Sequence, residues 1–259
     1  MIFIKNNDKF YTKKENIELL ISLIDFNKYD LIIEPSAGNG RFLPYLPKRK
    51  TVSIDIEPEH KDIKKLDFFS YIPDKKYKNI LTIGNPPFGK NSSLAVKFFN
   101  HASTFSKTIA FILPKTFRKS SVINRLHKNF HLHIEKDLIT ENFDFYGKEI
   151  SVPAIIQVWV KTDNERKLII ERQTTKYFSF TDKDNADLAI RRVGFYAGTC
   201  YKDINKSKSS HYFIKTNMNT DTLLESINSI VWEHNNTVGS RSISKGELII
   251  KLEEILKES

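Results

Sequence analysis

The feature that most constrains this chain is a succession of short, nearly continuous strand-like runs: Asp30–Glu34, Thr51–Asp55, Asn79–Ile83, Thr108–Leu113 and His131–Leu138. A strand with one wet face alternates apolar and polar side chains. In Leu31-Ile32-Ile33 and in Ile109 to Leu113 successive positions are apolar, so both faces must be covered. Helical segments lie between the runs. Asn16 to Ile24 carries Ile17, Leu20, Ile21 and Ile24 at helical spacing, and Ser92–Ala102 and Ser120–Lys128 are similar. Strands alternating with helices predict a mostly parallel sheet buried on both faces. A further run, Val152–Val160, follows its predecessor too closely for a helical crossover and is expected to lie antiparallel.

After Lys161 the pattern changes, so a first domain over 1–162 and a smaller α+β domain over 163–259 are expected. The second part offers strand-like pieces at Lys167–Arg172, Leu188–Val193 and His211–Lys215, and a helix from Thr220 to His234. A last helix opens with a capping box, Ser244 to Glu247, and continues through Leu248, Leu252, Ile255 and Leu256. Charge is unevenly shared. The chain is +10 overall; 26 basic and 17 acidic residues lie up to Lys161, against 15 and 14 beyond it. From Lys75 to Ile134 there is no Asp or Glu, while 11 Lys and Arg residues occur there. Such a window favours a polyanionic partner. A single cysteine, Cys200, excludes a disulfide framework and a Cys-rich zinc site, and His127, His131 and His133 lack ligand-like spacing. With no signal peptide and no run of membrane-spanning length, a soluble cytoplasmic protein is expected.

Inside the acid-free window stands Asn85-Pro86-Pro87-Phe88, directly after a strand-like run. Two prolines have fixed φ and no N–H, so they hold the Asn side chain and the following carbonyl as a pair of acceptors beside an aromatic ring. That arrangement suits a flat exocyclic amine. The turn Glu34-Pro35-Ser36-Ala37-Gly38-Asn39-Gly40-Arg41-Phe42 follows the first strand and is expected to open a helix. Its small residues let a ligand approach the backbone. Asp55, at the end of the second strand, can accept both hydroxyls of a ribose, and Asp67 with Phe68 can read and cover an adenine. No Gly-Lys-Ser/Thr follows the glycines, which excludes a Walker-type phosphate loop.

Taken in order, these motifs resemble the S-adenosylmethionine-dependent amino-methyltransferases, particularly the N6-adenine DNA methyltransferases in which the cofactor motif precedes the catalytic one. The resemblance covers roughly residues 9–160. It implies a Rossmann-like methyltransferase sheet, mostly parallel with an antiparallel last strand. It also implies a cofactor pocket lined by Thr12, Glu34, Pro35, Ser36, Ala37, Gly38, Asp55, Ile56, Asp67, Phe68 and Pro87. Asn85, Pro86, Pro87 and Phe88 would be catalytic: Asn85 and the Pro86 carbonyl accept the target amine, and Phe88 stacks on the base. Phe10-Tyr11-Thr12 is similar to the family's segment that closes over the methionine end of the cofactor. In Glu141–Gly147, Phe143, Phe145 and Tyr146 stand where the family packs an aromatic on an extruded base. Lys115, Arg118 and Lys119 are candidates for phosphate contact. Arg191-Arg192 and Ser240-Arg241-Ser242 are weaker candidates for target contact. The expected cofactor is S-adenosyl-L-methionine without a metal, and the expected partner is nucleic acid, DNA favoured over RNA. Alternatives are an RNA adenine, a cytosine-N4 or a protein-glutamine methyltransferase, or an inactive nucleic-acid-binding subunit.

Overall fold

Consecutive apolar residues in Leu31–Ile33 leave that strand no wet face, and it takes an interior place in a covered sheet. The computed structural model describes residues 10–140, 142–145, 147–170, 173–232 and 241–258. It divides into two units, Met1–Leu168 and Ile169–Ser259.

The first unit runs β1 (Tyr11–Thr12), α1 (Lys14–Ser22), β2 (Leu31–Pro35), β3 (Thr51–Asp55), β4 (Lys64–Lys65), β5 (Ile80–Gly84), α2 (Ser93–Ala102), β6 (Thr108–Pro114), α3 (Ser120–Ile123), β7 (Phe130–Asp137), β8 (Asn142–Phe145), β9 (Lys148–Ser151) and β10 (Ala154–Lys161). Seven strands form the main sheet in the order β4-β3-β2-β5-β6-β10-β7. β4, β3, β2, β5 and β6 are mutually parallel, and β10 lies antiparallel to both β6 and β7. This is the expected Rossmann-like sheet with its antiparallel last strand. The period of two decides which side chain goes where. Leu31, Ile33, Ile109, Phe111 and Leu113 face a core completed by Phe98 and Phe99 of α2. Ile32, Ala110 and Ile112 face the opposite core with Ile17 and Leu20 of α1.

The helix expected after Glu34–Phe42 does not form. Two 3₁₀ turns, Leu43–Tyr45 and Lys48–Lys50, fill the connection instead. Pro44 and Pro47 remove two backbone donors and crowd the preceding turn, which ends any helix there. Phe42 and Leu46 then cover the sheet face that a helix would have covered. α3 is likewise a single turn, Ser120–Ile123, shorter than the segment expected to Lys128.

β1, β8 and β9 make a small separate sheet in the order β1-β8-β9. Asn16 ties its approach to α1. The buried amide donates to the Thr140 carbonyl at 2.6 Å and accepts from Ile139 N–H at 2.9 Å.

The second unit carries β11 (Phe178–Phe180), β12 (Leu188–Arg191), β13 (Cys200–Tyr201), β14 (His211–Thr216), α4 (Thr220–Asn228) and α5 (Lys245–Glu258). Its antiparallel sheet has the order β11-β14-β12-β13, and both helices pack on it around Leu188, Ile190, Ile214, Leu223 and Leu248. The capping box is made as expected: Ser244 N–H donates to Glu247 Oε2 at 2.6 Å, and Glu247 N–H donates to Ser244 Oγ at 3.1 Å. The expected helix Thr220–His234 stops at Asn228, and His234 lies outside the described residues. Residues 167–170 are not a strand, and Arg172 lies outside the described residues. Burial pushes the Cys200 thiol up to about 12, so it stays protonated.

Candidate active site

Chain order places the site. From β2 the chain moves to β3 and β4 on one side, then returns to β5 on the other. The connections therefore diverge at the carboxyl ends of β2 and β5, where ligands enter open parallel sheets. β2 ends in Glu34-Pro35 and leads to Ser36–Gly38, while β5 ends in Gly84 and leads to Asn85.

Asn85 is held by the strand above it. Its Nδ2 donates to Thr12 Oγ1 at 3.2 Å and to the Phe10 carbonyl at 3.4 Å. Both amide protons are thereby directed at acceptors, which fixes which end of the amide is which. Oδ1 is buried and has no hydrogen-bond partner among the described residues. An unpaired buried acceptor costs about 1–3 kcal/mol, so this oxygen is available to a donor that reaches it. Pro86 is buried beside it, Pro87 and Phe88 are half-buried, and Phe88 packs towards the α1 side of the core.

The glycine turn is shaped by its backbone. Ser36 has φ 57° and Gly38 φ 54°, a region that a β-carbon disfavours. A Cβ on Gly38 would come 3.4 Å from the Tyr11 ring, and one on Gly40 2.8 Å from Leu43 Cδ1. Asp55 closes this turn: its Oδ2 accepts from Gly38 N–H at 2.7 Å and its Oδ1 from Glu57 N–H at 2.8 Å. Each oxygen keeps lone pairs beyond those bonds. Ile56 next to it is 62% exposed, an unusual state for isoleucine.

Glu34 is 1% exposed and accepts from Ser53 Oγ at 2.6 Å. Burial pushes its carboxyl up to about 8; the Ser53 hydroxyl opposes the rise and the Asp55 charge adds to it. Glu34 is thus neutral at pH 7 in the unliganded protein.

The other candidates are held by neighbours within the fold. Thr12 is 3% exposed and spends its hydroxyl on Asn85. Asp67 caps a 3₁₀ turn through Phe69 N–H at 2.9 Å. Phe68 is 3% exposed and stacks on Phe98 at 5.2 Å, with its face inside the core. Phe143 is buried in the α1-side core, whereas Phe145 stacks on Phe10 at 4.9 Å, beside the strand that holds Asn85. Glu141 and Tyr146 lie outside the described residues. Arg118 is paired with Glu135 at 2.8 Å and Asp137 at 3.0 Å, and Lys115 with Asp137 at 3.6 Å. Two cations of the basic window are thus answered by acids just past its end. Lys119 lies half-buried at the start of α3.

Sequence reading missed the clasp on β1. Asp144 takes ion pairs from Arg41 at 2.5 Å and Lys13 at 2.6 Å, and these two cations hold its carboxyl below the usual range, Lys13 most strongly. Tyr11 adds a bond from its hydroxyl to Glu59 at 2.7 Å. The partners lie far apart in the chain, so no local pattern announces them. Among the described residues, no group of three or more His, Cys, Asp or Glu side chains is placed to hold a metal, and no helix is long and apolar enough to cross a membrane.

No protein-family profile matches the sequence, and no curated protein matches it. Solved structures do resemble it. 23S rRNA methyltransferase ErmE has a TM-score of 0.43 at 10% identity, over 96% of this chain and all of that one. N-methyltransferase NodS from Bradyrhizobium japonicum WM9, in complex with S-adenosyl-L-homocysteine, has 0.42 at 10% identity over 58% of this chain and 87% of its own. Magnesium protoporphyrin IX methyltransferase from Synechocystis PCC 6803, with bound SAM, has 0.37 at 8% identity over 56% and 76%.

Proposed function

We propose that this chain is an S-adenosylmethionine-dependent methyltransferase whose acceptor is the exocyclic amine of a nucleobase, adenine N6 in DNA. The observation that carries the reading is the Asn85 amide. Its protons are committed to Phe10 and Thr12, and its buried oxygen has no partner among the described residues, at the point where the sheet connections diverge.

The residues present fit the cofactor. The Ser36–Gly38 turn carries only small side chains, Asp55 has lone pairs for ribose hydroxyls, and exposed Ile56 offers an apolar surface to an adenine face. Glu34 stands at the end of β2 that leads into this turn, and Thr12 of β1 bonds Asn85. S-adenosylmethionine supplies a methyl group activated by its sulfonium.

What the chain supplies is positioning and electrostatics. The adenine N6 lone pair is conjugated with the ring, so the amine is a poor nucleophile. Asn85 Oδ1 and the Pro86 carbonyl accept its two N–H bonds. That favours a more tetrahedral nitrogen and stabilises the positive charge that grows there. The prolines keep both acceptors from turning away. Phe88 stacks on the base and sets its plane. A base in a duplex must leave the stack to reach this turn, so flipping belongs to the mechanism.

The test is incubation with radiolabelled cofactor and separate DNA, RNA and protein pools, followed by nucleoside mass spectrometry. Label in N6-methyladenine of DNA is expected. Label confined to RNA transfers the same chemistry to the other polymer, and label confined to protein refutes the nucleic-acid reading.

A further inference from the structure

The second unit joins two arginine segments that are far apart in sequence. Val193 bridges Ser242, Gly194 N–H donates to the Arg241 carbonyl at 2.8 Å, and Ile243 N–H donates to the Arg192 carbonyl at 2.9 Å. Between β12 and β13 the chain turns through Gly194-Phe195-Tyr196-Ala197-Gly198. Phe195 and Tyr196 are 72% and 65% exposed, although both are large aromatics. They sit on a fixed platform. Gly194 and Gly198 have φ of 93° and 101°, Ala197 N–H bonds back to Gly194, and a side chain at Gly198 would run into the Trp232 indole.

Cations are laid against rings throughout this face. Arg241 lies 4.8 Å from the Phe195 centroid, Arg192 5.8 Å from the Tyr212 centroid, and Lys245 5.9 Å from the same Tyr212. Each arginine is also anchored to a backbone carbonyl, Arg191 to Val193 at 2.8 Å, Arg192 to Ser209 at 2.9 Å and Arg241 to Phe195 at 3.3 Å, with further guanidinium N–H groups left over. Rigid exposed rings interleaved with cations have two complementary chemistries to offer, a π-face and a positive charge. A single-stranded nucleic acid presents both counterparts at once, base faces and phosphates. A protein surface has no comparable repeat of planar rings and anions.

We propose that this hairpin tip and its flanking cations form a nucleic-acid-docking surface, with Phe195 and Tyr196 against base faces and Arg241 and Arg192 on the phosphates. It deepens the nucleic-acid reading above and rests on it, but it concerns binding alone. The exposed rings can be removed without opening the core.

The experiment measures binding of a fluorescein-labelled single-stranded DNA of mixed sequence to the full chain by anisotropy, over a salt series. S-adenosylhomocysteine binding is measured in parallel. The double variant Phe195→Ala/Tyr196→Ala is expected to weaken DNA binding roughly 10- to 100-fold with an unchanged salt slope. Arg241→Gln is expected to reduce the slope of log K against log salt by about 1. Thermal unfolding and S-adenosylhomocysteine affinity should match the unaltered protein in both. Equal DNA binding by the variants, or none by the unaltered protein, overturns the inference. So does a self-association that the double variant abolishes with DNA affinity intact, because it assigns the tip to a second copy of the chain. Loss of DNA binding in the variants of a protein that transfers no methyl group supports the surface and refutes the enzyme. Methylation with unchanged DNA affinity does the reverse.

Discussion

Glu34→Gln should make the first unit more stable as pH rises. Burial holds the Glu34 proton in the folded chain to about pH 8, whereas the unfolded chain releases it near its ordinary value of 4.5. Below 4.5 both states carry the proton and the group has no effect on the balance. Between 4.5 and about 8 the unfolded chain binds fewer protons, so folding stability falls with pH. The slope is about 1.4 kcal/mol per unit, and the whole window amounts to on the order of 4–5 kcal/mol. Above about 8 both states are ionised and the loss levels off. Glutamine keeps the shape and has no proton to lose, so the variant escapes the slope. Urea unfolding across this pH window, with Trp232→Phe in both proteins so that buried Trp159 alone reports on the first unit, measures the difference directly. Profiles that run parallel would show that Glu34 ionises normally in the fold, and the account of its burial would be wrong.

Three further changes probe the site from different sides. Ile56→Ala removes an exposed side chain, so the fold should be unaffected, while S-adenosylhomocysteine binding by calorimetry weakens about tenfold from ~1–2 kcal/mol of lost apolar burial; unchanged affinity would place the adenine elsewhere. Gly40→Ala brings a Cβ to 2.8 Å from Leu43 and 3.3 Å from His60 at φ 81°. It should cost about 1–3 kcal/mol in thermal unfolding, and a neutral outcome would mean that the turn is not constrained. Thr12→Val keeps shape and burial but removes one acceptor of the Asn85 amide. It should lower kcat about tenfold with KM nearly unchanged, whereas a change in KM alone would give Thr12 a binding role instead of a positioning one.

Much of the sheet is legible in the sequence, because a strand buried on both faces has no choice but apolar residues at successive positions, as in Leu31–Ile33 and Ile109–Leu113. The antiparallel β10 follows from the short connection before it. The helix expected after the glycine turn fails at Pro44 and Pro47, whose missing N–H groups override the alternation of strand and helix. The acid-free window misleads for a different reason. Linear counting cannot see that β7 returns Glu135 and Asp137 to Arg118 and Lys115. Phe68 reads as a ligand cover beside Asp67, yet Phe98 one helix later draws it into the core. The Asn85 side chain is recognisable from its prolines. What orients it is not, since Phe10 and Thr12 lie 75 and 73 residues away.

The central claim is that Asn85 Oδ1 is an acceptor for the reacting amine. Single-turnover methyl transfer to an adenine-containing DNA duplex by the unaltered protein and by Asn85→Ala tests it most directly, with S-adenosylhomocysteine affinity measured in both. The account predicts that the variant binds S-adenosylhomocysteine normally and loses about 10²–10³-fold in rate. Full methyl transfer by Asn85→Ala would contradict it.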